Sequence, residues 1–282
     1  ITFTFIILFP LSSYAEDSTD QSSVNAEDNI SEDTTNDNES GSGSSINKII
    51  IGGSDALYVP IISLSPSSLT SYQDNNMNNV GIGKDVFSTI QSAAYRNSAI
   101  GEGALKSLTI GQENNAQGSG ALGDLNYGDN NTAVGHSALV TNTTGHSNVA
   151  VGKDSLGANS VGYKNIAIGR NAGLAISSGY NNSCIGYDAL TTATTCTSNA
   201  GIGMEALRAA TTGSGNAANG YQALRAVTTG SFNVGIGQGA GDDITTGANN
   251  TFVGQAAGQY VTTGSYNIAV GKIAGGWTTA GN

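Results

Sequence analysis

Apolar and polar positions recur along this chain with a long period, not with that of a helix or a simple strand. From residue 79 onward the unit N-x-A-[VI]-G-x-x-A-[LG] returns, followed by about eight residues that often contain Thr-Thr-Gly. With the glycine of A-[VI]-G taken as position 0, the copies fall at Gly83, Gly101, Gly118, Gly135, Gly152, Gly169, Gly186, Gly203, Gly220, Gly237, Gly254 and Gly271. The first interval is 18 residues and the other ten are 17. At −4 every copy has an asparagine: Asn79, Asn97, Asn114, Asn131, Asn148, Asn165, Asn182, Asn199, Asn216, Asn233, Asn250 and Asn267. Such a period predicts stacked supersecondary units, none able to bury its apolar side alone.

Each position carries a physical expectation. At −1 the residue is Ile or Val in ten of twelve copies, Gln117 and Asn219 excepted. A β-branched residue here predicts a short strand with this side chain in the core. At −2 stands Ala, Gly or Cys184, with Phe252 the departure, and strand alternation turns this position the opposite way. At +3 alanine recurs. At +4 a Leu, expected to line the core, alternates with a Gly that leaves space for a larger side chain from another turn; Phe87 is the exception. The Gly at −7 in nine copies, Gly111 to Gly264, is expected to supply the positive φ of a turn. The unit then reads as strand, bend, short strand, turn. Coils spaced by about 4.8 Å make twelve of them a shaft about 55–60 Å long, with the −4 amides bonded in a ladder along its axis. The expected fold is all-β: a single-chain β-solenoid (β-roll) of about twelve 17-residue coils, preceded by a disordered acidic segment.

Composition agrees with a repeat fold. Forty glycines are too many for helices, where each costs about 1 kcal/mol against Ala, and large apolar residues are too few for a thick sandwich. The net charge of −11 is concentrated: residues 16–45 hold nine acids and no base, and the remaining twelve acids face ten bases. Nucleic-acid binding has no electrostatic footprint here. Residues 1–15 resemble the end of a secretory signal peptide, with an apolar run at Phe3–Leu8 and Ser13-Tyr14-Ala15 before the cleavage point. Residues 16–45 are expected to be a solvated linker. Residues 46–78, off register, read as an N-terminal cap with one degenerate copy, and 79–282 as the solenoid, cut within its next repeat. Export and an extracellular or cell-surface location follow as expectations.

The strings Asn97-Ser98-Ala99-Ile100-Gly101, Asn148-Val149-Ala150-Val151-Gly152, Asn165-Ile166-Ala167-Ile168-Gly169 and Asn267-Ile268-Ala269-Val270-Gly271 resemble the head repeats of trimeric autotransporter adhesins, the YadA-like left-handed β-roll. Related repeats occur in phage tail-fibre-like proteins. The resemblance covers 79–282. It implies parallel homotrimers or a fibre, adhesion to a host-surface protein or glycan, and a membrane attachment only through an anchor outside this chain. The small −2 residues suit a second backbone packing closely, or a position that merely faces solvent or a tight interior corner. The family's heads generally have shorter repeats, so Thr-Thr-Gly reads as an extension on one edge.

Catalytic chemistry has no foothold in this pattern. His136 at +1 and His146 at −6 fall where other copies carry Lys, Glu, Gln, Tyr or Ser, so both read as surface residues. Acids at +2 (Asp85, Asp154, Asp188, Glu205) do not form a regular calcium ladder, and Gly235-Ile236-Gly237 lacks the helix a dinucleotide loop needs. No catalytic residue, metal site or cofactor is expected. Cys184 and Cys196 replace an Ala and a Gly, and either a disulfide or two free thiols fits the spacing. The variable +1 column, with Lys153, Arg170, Tyr187 and Tyr221, is the candidate contact surface. The leading expectation is a secreted or surface structural and adhesive fibre protein. The alternatives are a phage-type tail fibre and an ice- or carbohydrate-binding solenoid, the latter weakened because adjacent threonines in a strand point oppositely.

Overall fold

In a computed structural model the described residues are 79–275 apart from Ser92, with the short strand Ile62–Ser63. The signal-peptide and linker expectations, and most of the cap, lie outside them. The described chain is all-β. Strand β1 (Ile62–Ser63) is followed by twelve three-residue strands, β2 (Val80–Ile82), β3 (Ser98–Ile100) and so on to β13 (Ile268–Val270), one per coil. They form one sheet in sequence order, and β2–β13 are parallel and in register, as in Ala150↔Ala167. β1 is antiparallel to β2, with Ile62 opposite Ile82, and so covers part of the edge that the first coil would otherwise leave open. We number the coils 1 to 12 by their position-0 glycines.

Each coil contains one strand, at −3 to −1, and the second expected strand is absent among the described residues. The cause is backbone conformation. Position 0 has φ of 119–141°, and +2 and +4 lie in the left-handed region, as at Asp154 (58°) and Leu156 (48°). A third left-handed position recurs at −5, as at Lys164 (54°). Chains that turn this often cannot extend into a second strand. A left-handed non-glycine residue costs roughly 1–2 kcal/mol. At +4 that cost is offset, because leucines such as Leu105, Leu139 and Leu190 are fully buried there and each burial contributes about 1.5–3 kcal/mol.

The interior is narrow, and its width reverses one expectation. The −2 residues point inward, fully buried at Ala99, Ala133, Ala150 and Ala167, while the −1 Ile and Val face out. Strand alternation holds, with the faces exchanged. Leu at +4, Ala at +3 and mostly Leu, Ile or Val at +7 fill the coil, leaving room at −2 for little more than a methyl group. Phe252 tests this rule. Its ring occupies the space left at +4 by Gly241 and Gly258, where an added Cβ would collide with it. Gly173 makes similar room for Ile176 and Cys184.

The glycines at −7 are also used otherwise than expected. None has a positive φ; the requirement is closeness. A Cβ on Gly162 would lie 2.5 Å from the carbonyl oxygen of Gly179 in the next coil. Position 0 carries both constraints, since a Cβ on Gly152 would lie 2.6 Å from Gly169 O. Gly152→Ala is therefore expected to destabilise the shaft more than alanine at the open Gly103, where nothing lies within 4 Å, as chemical denaturation would show.

Candidate functional site

Two hydrogen-bond ladders hold the coils in line. In the first, each −4 Asn donates from Nδ2 to the Oδ1 of the preceding Asn, at 2.8–3.3 Å, from Asn97 to Asn267. The same Oδ1 accepts the next Asn's backbone N–H, as Asn148 Oδ1 does from Asn165 at 3.0 Å. The second Nδ2 hydrogen goes to the −7 carbonyl that closes the coil, as from Asn165 to Gly179 O at 2.8 Å. From Asn97 to Asn250 these side chains are buried, so the column is scaffold with no face for a ligand.

The second ladder was not anticipated. The first threonine of the Thr-Thr pair before the −7 position donates its hydroxyl to the carbonyl of its counterpart one coil on, as Thr194 to Thr211 (3.2 Å), Thr211 to Thr228 (3.1 Å), Thr228 to Thr245 (3.2 Å) and Thr245 to Thr262 (3.1 Å). The second threonine (Thr195, Thr212, Thr229, Thr246, Thr263) is exposed. The signal in the sequence was the preference for Ser or Thr at this position, masked by its place next to a recurrent glycine. Another column absent from the expectations stacks rings at −6: His146 on Tyr163 with centroids 5.0 Å apart, and Tyr163 on Tyr180 at 4.8 Å. Three aromatic residues spaced by 17 were the available clue.

The candidate contact residues Lys153, Arg170, Tyr187 and Tyr221 are all exposed, and the Arg170 guanidinium lies 5.9 Å from the centre of the Tyr187 ring. His136 and His146 each lie beside a serine hydroxyl, at 3.0 Å from Ser137 Oγ and 3.3 Å from Ser147 Oγ. The +2 acids have neighbours of their own: Asn171 donates to Asp188 (2.9 Å), Gln222 donates to Glu205 (2.8 Å), and Lys153 approaches Asp154 (3.8 Å). Among the described residues no three His, Cys, Asp or Glu side chains are grouped so as to hold a metal ion.

Cys184 and Cys196 are free and buried. Cys196 takes the −7 position above Ala193, where most other coils have a larger +7 residue under a glycine. Burial, and then the charge of Cys196, hold the Cys184 thiol well above its ordinary pKa. Burial pushes Cys196 up to about 11 against the lowering effect of a hydrogen bond with Asn199. Below about pH 9 the folded and unfolded chains both keep these protons. Above it the unfolded thiols ionise first, so stability is expected to fall as pH rises from about 9 to 11. Denaturation midpoints across that range would check this, and neither thiol should react with a disulfide reagent at pH 8 until the chain unfolds.

The outer face of the parallel sheet is a continuous surface through all the described coils. Its −3 and −1 columns run through twelve coils without one charged residue. Ile100, Ile168, Ile202 and Ile236 are 42%, 40%, 41% and 46% exposed, and Val134, Val151 and Ile185 are half-buried between them. No protein-family model, curated protein or solved structure matches the chain.

Proposed function

We propose that this chain is a non-catalytic shaft, part of a secreted or cell-surface fibre, and that it associates laterally with copies of itself through the outer face of its sheet. The observation that carries this reading is the uncharged −3/−1 surface. Apolar patches larger than a few hundred Å² mark interaction sites. A sheet face about 55 Å long and 10 Å wide presents on the order of 550 Å², near the roughly 800 Å² per partner of a stable interface. Seventeen of the 24 side chains in these columns are aliphatic, so at about 25 cal/mol/Å² burial of the face contributes on the order of 10 kcal/mol, comparable with the cost of about 4–15 kcal/mol of association. A second copy is the occupant whose face has matching length, coil spacing and apolar character.

The resemblance to trimeric adhesin heads favours three copies. Adhesion to a host-surface protein or glycan would then fall to residues outside the sheet face, with Lys153, Arg170, Tyr187 and Tyr221 as its contacts. A tail-fibre shaft would use the same architecture. The test is the mass of the full chain in solution. An oligomer is expected, and Ile168→Asp with Ile202→Asp should leave a folded monomer, because both side chains are already exposed in the single chain. A wild-type chain that is monomeric at tens of micromolar would overturn the reading.

A further inference from the structure

The outer face is not uniformly apolar, and its interruptions are regular enough to carry information. In the −1 column only Gln117, in coil 3, and Asn219, in coil 9, are not β-branched. Coil 3 is polar at both outward positions: Gln117 Nε2 donates to Asn115 Oδ1 at 3.3 Å, so two carboxamides stand together on the surface. In coil 9 the exposed Asn219 shares its strand with the small Ala217. Hydroxyls do occur at −3 in other coils, at Ser98, Thr132, Ser183 and Thr251, but each has Ile or Val at −1. We propose that Asn115 with Gln117, and Asn219, are two polar layers that set a parallel, in-register alignment of the associated copies. This rests on the lateral association proposed above.

A carboxamide offers two donors and an acceptor, and covering it with an aliphatic side chain removes water without replacing those bonds. Single buried polar residues fix the register of coiled coils in this way. When copies related by a rotation axis lie parallel and in register, each coil faces itself. Amides then meet amides in coils 3 and 9, and Ile and Val meet their own kind in the other coils.

A slip by one coil places Gln117 against Ile100 or Val134, and Asn219 against Ile202 or Ile236. A slip by six coils aligns one polar pair but uncovers half of the shaft. Reversing one copy can bring coil 3 opposite coil 9. That arrangement sets two carboxamides against one in both layers, so neither layer meets its own kind. Only the parallel, unslipped arrangement matches each polar layer to its own kind along the whole shaft.

Distances between nitroxide labels in the full-length assembly test this. Labels on Tyr127→Cys in coil 3 or Thr229→Cys in coil 9 sit at exposed positions away from the sheet face, and the buried Cys184 and Cys196 stay unlabelled. One narrow 127–127 distance is expected. Mixtures of the two labelled chains should show no equally short 127–229 distance, since the sites lie about 29 Å apart along the axis. In Asn115→Val/Gln117→Ile/Asn219→Ile the oligomeric mass should persist while the 127–127 distance splits into several, offset along the axis by multiples of about 4.8 Å. A single unchanged distance in that assembled variant would overturn the proposal, as would a short 127–229 distance in the wild type. A monomeric wild type, read from its mass, would remove lateral association itself and the alignment with it.

Discussion

Phe252→Ala is expected to lower the stability of the shaft by about 3–5 kcal/mol, among the largest effects available to a single side chain here. Phe252 is the one large residue in the −2 column, and it is fully buried. Its ring fills the volume that leucine supplies at +4 in most coils, because coils 10 and 11 carry Gly241 and Gly258 there. Truncation leaves a cavity that rigid neighbouring coils cannot close. The compensating change is Gly258→Leu. Gly258 has φ of 65°, and leucines at +4 elsewhere accept φ of 48–52°, so the backbone admits the side chain once the ring is gone. The double variant should recover more than half of the loss, while Gly258→Leu alone should destabilise by collision with Phe252. Denaturant midpoints, with hydrogen exchange resolved to coils 10–12, would read all three. A double variant less stable than Phe252→Ala would refute the volume exchange.

The second large effect is expected at the centre of the asparagine ladder. Asn165→Ala removes the bonds from Nδ2 to Asn148 Oδ1 and Gly179 O. It also removes the acceptor of Asn182 N–H and Asn182 Nδ2, both at 3.0 Å. Buried donors and a buried carbonyl are left without partners, each at about 1–3 kcal/mol, so a total of about 3–5 kcal/mol is expected. Asn79→Ala should cost less, because Asn79 is half-buried and begins the ladder. If the two variants melted alike, the ladder's contribution would lie in the end coil and the central bonds would be incidental. Stacked repeats need not unfold in one step, so exchange protection coil by coil is the better measure.

How much of this could be read beforehand differs from column to column. The period, the number of coils and the structural place of the −4 Asn follow from spacing, and an unbroken 17-residue interval leaves little freedom. The direction of the strand's faces does not. Three residues of alternating pattern support either orientation, and β-branching pointed −1 inward. What decides is volume: Leu at +4 and the residue at +7 already fill the coil, so the small −2 side chain goes in and the larger −1 side chain goes out. The pairing of Phe252 with Gly241 and Gly258 was a visible trace of that exchange. The −7 glycines were ambiguous for another reason. Positive φ and close approach of another backbone select the same residue, and only the Gly162–Gly179 spacing separates them. For the candidate surface the consequence was direct, because the residues assigned to the core are those that face outward.

The bonds between successive asparagines all run one way. The amide and backbone N–H of each later asparagine donate to the oxygen of the one before it, and the acceptor is already in place when the next 17 residues arrive. Each finished coil is thus a template for the segment that follows it in the chain. The shaft can be laid down from its first coil onward, one layer at a time, with every layer locked to a completed one.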